Sequence, residues 1–444
     1  MVKLDVGQAC WAPARRAHSG VRAVVVALAL LLVVSAKARG DCVWDSGPFD
    51  QVTAQYSISG AYGDQQTADD VYIQPRQVCR IDRITATLIG DSVIPKARLR
   101  IYDDCNGSPG ALLLTLDTTQ LADTGQVYAG FRVFTARFDP VNLWLEGGDS
   151  GRVYWLSVMG VQALATDQWY WASAGAGVIK GVPGKYIATG AGVPNWVSVA
   201  DLGCGCTDFQ LKIDGSCCAV LWDGGIPDPA AGGASSIITG ASGGSFDTRA
   251  ADDLATPTCQ DLTVCFLRAV MYSNCTPMRG QFEIYANDCQ LPAGAPIFSA
   301  PFSQSRDLGY SVSIGGTSLR AYQVELYDPG WVLPAGKTFW VSAVGQGGGS
   351  LQQRAYFAYS TSCSPCTVRL NSGAALGPAI SGSAWTSLAV SPGVPHDFSF
   401  MIAVRQISGQ DVAQPTCRAD RNGDGVLNSL DIFEYLGEWF SGCP

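Results

Sequence analysis

Through most of the chain apolar and polar positions alternate over short runs. Ala97-Arg-Leu-Arg-Ile-Tyr102 and Gln281-Phe-Glu-Ile-Tyr285 are examples, and Gly, Pro and Asp clusters separate one run from the next. A period of two sends successive side chains to opposite faces of an extended strand, so each run predicts a strand with one buried face. Two segments depart from this pattern. Ala23 to Val34 is a continuous apolar run behind Arg15, Arg16 and Arg22. Near the C-terminus Leu430, Phe433, Leu436, Gly437 and Phe440, flanked by Ile432, Tyr435 and Trp439, recur every three or four residues and predict a helix of about three turns. No long amphipathic helix lies between these segments. The expected fold class is all-β, with two packed antiparallel sheets per domain in a jelly-roll-type sandwich.

The strand pattern occurs twice. Trp44-Asp45-Ser-Gly47 returns as Trp222-Asp223-Gly-Gly225, and Ala68-Asp69-Asp70-Val71 as Ala251-Asp252-Asp253-Leu254. Val78-Cys79 matches Val264-Cys265, and Arg100-Ile101-Tyr102 with Cys105 matches Glu283-Ile284-Tyr285 with Cys289. Phe138-Asp139-Pro140 answers Tyr327-Asp328-Pro329, Tyr154-Trp155 answers Phe339-Trp340, and Trp196 with Asp208-Phe209 answers Trp385 with Asp397-Phe398. The ordered matches, at offsets drifting from 178 to 189 residues, predict an internal duplication. Expected boundaries are 1–38 for a signal peptide, 39–218 and 219–408 for two β-sandwich copies, and 409–444 for a C-terminal segment.

Composition places the chain outside the cytoplasm. The basic residues, the apolar run and Ala36-Lys37-Ala38 have the form of a cleaved signal peptide. Cys10 lies in that segment, so 15 of the 16 cysteines remain, a density that in an exported protein points to disulfides. Their repetition suggests that Cys79 bonds Cys105 and Cys265 bonds Cys289, while Cys417 and Cys443, which bracket the C-terminal segment, are expected to bond each other. The formal net charge of −9 and the absence of a basic stripe exclude nucleic acid as the expected partner. No other run is long enough to span a membrane. The expected location is secreted, extracellular or at the cell surface, with the periplasm as an alternative.

The C-terminal segment carries the sharpest chemistry. Asp420, Asn422, Asp424, Asn428 and Asp431 occupy positions 1, 3, 5, 9 and 12 of a loop, Gly425 permits the turn at position 6, and Val426 can offer its carbonyl at position 7. Six oxygen donors at this spacing suit Ca²⁺, a hard cation. Followed by its helix, the loop resembles one half of a dockerin, and in particular the Cys-bracketed dockerin-like tails of planctomycete-type secreted proteins. The likeness covers about 6% of the chain, and one loop-helix segment is found where dockerins usually carry two. It implies Ca²⁺ as cofactor and a cohesin-like or cell-surface protein as docking partner.

The sandwich copies offer weaker candidates. The pairs Asp69/Asp70 and Asp252/Asp253, with Asp45 and Asp223, could ligate structural Ca²⁺, or could bond backbone amides in turns. Adjacent strand residues face opposite ways, so neither pair can straddle a glycosidic bond. Trp169 and Trp171 flank Tyr170 at the spacing of a sugar-stacking platform, with Trp169 expected at the surface, whereas Trp155, Trp340, Trp196 and Trp385 recur and are expected in the core. His396 is the one histidine beyond the signal segment, and no nucleophile accompanies it. These features predict a secreted, non-catalytic binding or assembly protein docked through its calcium tail, with polysaccharide as a candidate ligand. The alternative is a polysaccharide-degrading glycoside hydrolase component.

Overall fold

The computed structural model describes residues 41–406, apart from 61–63, 92–94, 165, 175–180, 189–192, 203–207, 239–246, 258–259, 289, 348–352, 361–373, 378–381 and 388–397. The expected calcium loop and helix, Cys417, Cys443, Cys289 and His396 lie outside the described residues. Within them the chain is almost entirely β-strand, arranged as facing multi-stranded sheets. None of the described helical turns is long and apolar enough to cross a membrane. Contacts divide the chain into two compact units. Unit 1 comprises the chain up to residue 71, 80–143 and 154–216; unit 2 comprises 72–79, 144–153 and 217 onwards. The division passes through two long strands, Gln77–Gly90 and Leu211–Asp223.

In unit 1 the strand Gln77–Gly90 pairs along one edge with Phe131–Phe138 and along the other with Trp169–Ala174, which in turn pairs with Phe49–Tyr56. The facing sheet runs Val193–Ser198, Lys185–Ala188, Gln65–Ile73, Ile58–Ser59, Arg152–Val161, Ala97–Asp104 and Pro109–Thr118. The alternating run 97–102 behaves as its pattern demands: Ala97, Leu99 and Ile101 are wholly buried, while Arg98 and Arg100 are partly exposed. Unit 2 repeats the plan. Leu262–Ser273 pairs with Thr317–Tyr327 on one edge and with Ala355–Ala358 and Phe400–Gln406 on the other. Gly280–Asp288, Thr338–Gln346 and Arg249–Ala255 form the centre of its second sheet.

Positions matched between the two halves of the sequence make equivalent contacts. Trp155 Nε1 donates to Asp104 Oδ1 at 2.8 Å, and Trp340 Nε1 donates to Asn287 Oδ1 at 2.9 Å. Ser57 Oγ donates to the Val158 carbonyl, and Ser236 Oγ to the Ala343 carbonyl. Each unit even contains the same two-residue parallel pairing, Ile58 with Gly160 and Ile237 with Gly345. Trp171 stacks on Phe209 at 5.1 Å as Phe357 stacks on Phe398 at 4.4 Å. Trp155 and Trp340 are fully buried core residues, as expected from their recurrence.

The cysteine pairing differs from the sequence expectation. Cys79 bonds Cys217, and Cys265 bonds Cys218. Cys105 is exposed and unbonded, and Cys275 is buried and unbonded. Cys79 lies on Gln77–Gly90 and Cys105 just beyond Ala97–Asp104, strands of different sheets, so constant spacing along the chain carried no information about proximity. The partners are instead adjacent residues of one strand, whose side chains point to opposite faces and so reach two different cysteines. Repeat-equivalent Cys79 and Cys265 thereby share one vicinal pair. In unit 2 the Cys218–Cys265 bond is packed among Val78, Phe266, Met401 and Ala403, beside the stacked rings of Trp144, Phe266 and Tyr327.

Candidate functional site

The paired aspartates are buried in both copies. Asp69 and Asp70 are both 2% exposed, and Asp252 and Asp253 are 1% and 3% exposed. Burying a carboxylate is unfavourable without hydrogen-bond donors, and the backbone supplies them. Phe209 N–H donates to Asp69 Oδ2 at 2.8 Å and Asp70 N–H to Asp69 Oδ1 at 3.1 Å. In the second copy Phe398 N–H donates to Asp252 Oδ2 at 2.8 Å and Asp253 N–H to Asp252 Oδ1 at 3.0 Å. The first aspartate of each pair is therefore a latch that fixes the entry of the strand following the Asp-Phe motif. Asp70 serves a second loop, accepting from Val182 N–H at 3.1 Å.

Electrostatics follow from this burial. Loss of water pushes the Asp69 carboxyl well above its ordinary range; the Phe209 N–H opposes the rise, and the Asp208 and Asp70 carboxylates add to it. Asp70 is pushed up to about 6, again chiefly by burial, with the Val182 N–H opposing and Asp208 adding. These are structural carboxyl groups. Among the described residues no group of three or more His, Cys, Asp and Glu side chains is arranged to hold a metal ion. Asp45 and Asp223 are likewise turn residues, accepting from Gly47 N–H at 2.8 Å and Gly225 N–H at 3.0 Å.

The tryptophan platform is overturned. Trp169 and Trp171 are both fully buried, so neither can stack a ligand. Both indoles of Trp169-Tyr170-Trp171 do share one face of their strand, but that face is the core. Trp169 is held between two glycines: a Cβ on Gly160 would fall 1.9 Å from its Cγ and one on Gly90 2.4 Å from its Cε3. In unit 2 the equivalent residue is Ala355, and a Cβ on Gly345 would meet Ala355 Cβ and the Met278 methyl instead. The unmatched tryptophan is thus a packing solution of one copy, with methionine occupying the site in the other. Strand alternation then puts Tyr170 on the outer face, which the period-two rule could have shown had the indoles been assigned inward.

A depression in unit 2 is lined by Arg76, Glu146, Asp149, Asp223 and Arg268, with Arg268 and Glu146 paired to each other. It mixes two cationic with three anionic side chains, and Arg268 and Glu146 satisfy each other, so it presents no single-sign site for an ion. Scans against protein-family models and curated proteins found no match to this chain.

Proposed function

We propose that this is an exported, non-catalytic binding or assembly protein in which two β-sandwiches serve as scaffold and the C-terminal Ca²⁺ loop-helix docks it to a protein partner. The observation that carries the proposal is the oxygen-donor spacing of Asp420, Asn422, Asp424, Val426 carbonyl, Asn428 and Asp431. Two structural findings support the scaffold role. The repeated aspartates are committed to backbone latches, and the recurring Trp155 and Trp340 to the core. The apolar helix face of Phe433, Leu436 and Phe440 needs a surface to cover it, and a single loop-helix lacks the second half that would do so. Titration calorimetry of the full-length protein should show one Ca²⁺ bound by the wild type and none by Asp424→Ala at the same concentrations. Equal calcium binding by both would remove the assignment.

A further inference from the structure

We infer that the outer face of the unit 1 sheet binds a neutral polysaccharide chain, with Tyr56, Phe131 and Tyr170 as its stacking rings. This deepens the binding role proposed above and rests on it for the kind of protein concerned, while naming a surface and a ligand class of its own.

Because Trp169 and Trp171 point inward, Tyr170 points out, opposite Tyr56 on one neighbouring strand and Ile89 on the other. Tyr56 and Tyr170 meet edge to face at 5.2 Å, and Phe131 lies 5.6 Å from Tyr170. Phe49 and Tyr128 form a second edge-to-face pair at 5.6 Å on the same cluster. Ile89, Val133 and Ala172 are the buried floor, and the rings above them are only partly buried. Polar groups border the rings. Tyr170 OH donates to Gln168 Oε1 at 3.0 Å, and Gln168 N–H donates to Asp91 Oδ1 at 2.7 Å. Burial raises both phenols above their usual range, with the Asp91 charge adding to it, so both stay protonated donors. Aromatic faces beside hydroxyl, amide and carboxylate groups match a pyranose, which offers a C–H face for stacking and hydroxyls at its edge.

Unit 2 supplies an internal control. There Tyr356 lies opposite Tyr272 and Ser235, Tyr272 is fully buried, and Leu308, Tyr310 and Ile314 of a hairpin strand pack over the cluster. The two hairpins align through a shared bulge. Asp123 Oδ1 accepts from Gly125 N–H and Asp307 Oδ1 from Gly309 N–H, each at 2.8 Å, while Arg132 and Arg320 reach the same aspartates from the partner strand. Gly125 and Gly309 have φ of 75° and 80°, a conformation that favours glycine. This alignment sets Thr124 where unit 2 has Leu308 and Gln126 where it has Tyr310. The apolar cover of one copy is a hydroxyl and an amide in the other, over a face that keeps its aromatic rings. Thr124 Oγ1 donates to the Val133 carbonyl at 2.9 Å and accepts from Gln126 N–H at 3.2 Å, so the exposed Gln126 amide is the group that offers a sugar hydroxyl a bond, where a protein partner would favour the aliphatic cover seen in unit 2.

The test uses the full-length protein and four probes: cellohexaose, xylohexaose, chitohexaose and mannohexaose, by calorimetry. At least one should bind the wild type. Tyr170→Ala and Phe131→Ala should each weaken it about tenfold, the scale of one lost ring contact; Tyr170→Phe, which keeps the ring and loses only the hydroxyl, should weaken it less, and the unit 2 variant Tyr356→Ala should leave it unchanged. The double substitution Thr124→Leu with Gln126→Tyr removes no ring and copies the unit 2 cover; it should abolish binding with the melting temperature unchanged. No binding of any probe, or binding indifferent to the double substitution, overturns the inference. So does concentration-dependent dimerisation lost in Tyr170→Ala without sugar binding, which would make a second copy the occupant. Calcium binding by the tail is measured separately, and its retention in any of these outcomes leaves the docking proposal standing.

Discussion

Single residues here are constrained by what a sandwich interior will accept. Trp169 fills a slot between Gly90 and Gly160, so Gly160→Ala should destabilise the protein by about 3 kcal/mol in denaturant titrations, in the range of overpacked cores. Trp169→Ala should cost about 4 kcal/mol by leaving a large cavity. The buried aspartates make a pH prediction. Asp70 titrates near 6 in the folded chain against 3.8 in the unfolded one, so the folded state holds its proton more tightly. The stability this contributes is complete below about pH 3.8 and is lost as pH rises through 6. Relative to Asp70→Asn, the wild type should therefore lose about 2 kcal/mol between pH 4 and pH 7, read from paired unfolding curves; parallel curves would contradict the assignment. Asp69 shifts in the same direction, but both its oxygens accept backbone N–H groups, so an amide there would set its NH2 against a donor, which is why Asp70 is the residue to substitute.

Between elements, the duplicated plan tolerates inverted chemistry. Arg100 Nη1 pairs with Asp64 Oδ2 at 2.6 Å in unit 1, and at the matching strand position of unit 2 Glu283 pairs with Arg249 Nε at 3.3 Å. The polarity is reversed, yet both pairs tie the strand carrying the aspartate doublet, or its approach, to the strand carrying the Ile-Tyr motif. Glu283 is 2% exposed and also accepts from Gln281 and Tyr285. Glu283→Ala should cost about 3 kcal/mol, since it strands a partly buried Arg249; Arg249→Met combined with Glu283→Leu should recover most of that loss. The disulfides act at the same scale. Cys218–Cys265 closes a separation of 47 residues, which in the chain-entropy model stabilises by about 4 kcal/mol. Cys265→Ser should lower the denaturation midpoint accordingly, and non-reducing peptide maps should join Cys79 to Cys217 rather than to Cys105.

For the whole molecule the expected division of labour is two β units and a tail that responds to calcium. Limited proteolysis of the full chain should show residues 409–444 protected in Ca²⁺ and cut in chelator, with Asp424→Ala cut in both; at a hundredfold excess over Kd the ion contributes about 2.7 kcal/mol. The all-β class, the strands and their buried faces were legible in sequence because period-two patterning is local and burial enforces it along each strand. The aspartate doublets could be recognised as paired and repeated, but their donors, Phe209 and Phe398, lie 140 and 146 residues away. Partners so remote are joined only when the sheets close. The same holds for Cys79 and Cys217, which are 138 residues apart. For Trp169-Tyr170-Trp171 the alternation was visible and its sense was not, because nothing local says which side of a strand meets the core. Packing against Gly90 and Gly160 decided that. Sequence alone thus determined which residues share a face, and tertiary structure decided which face is the inside, since facing inward depends on what the opposing sheet brings to meet it.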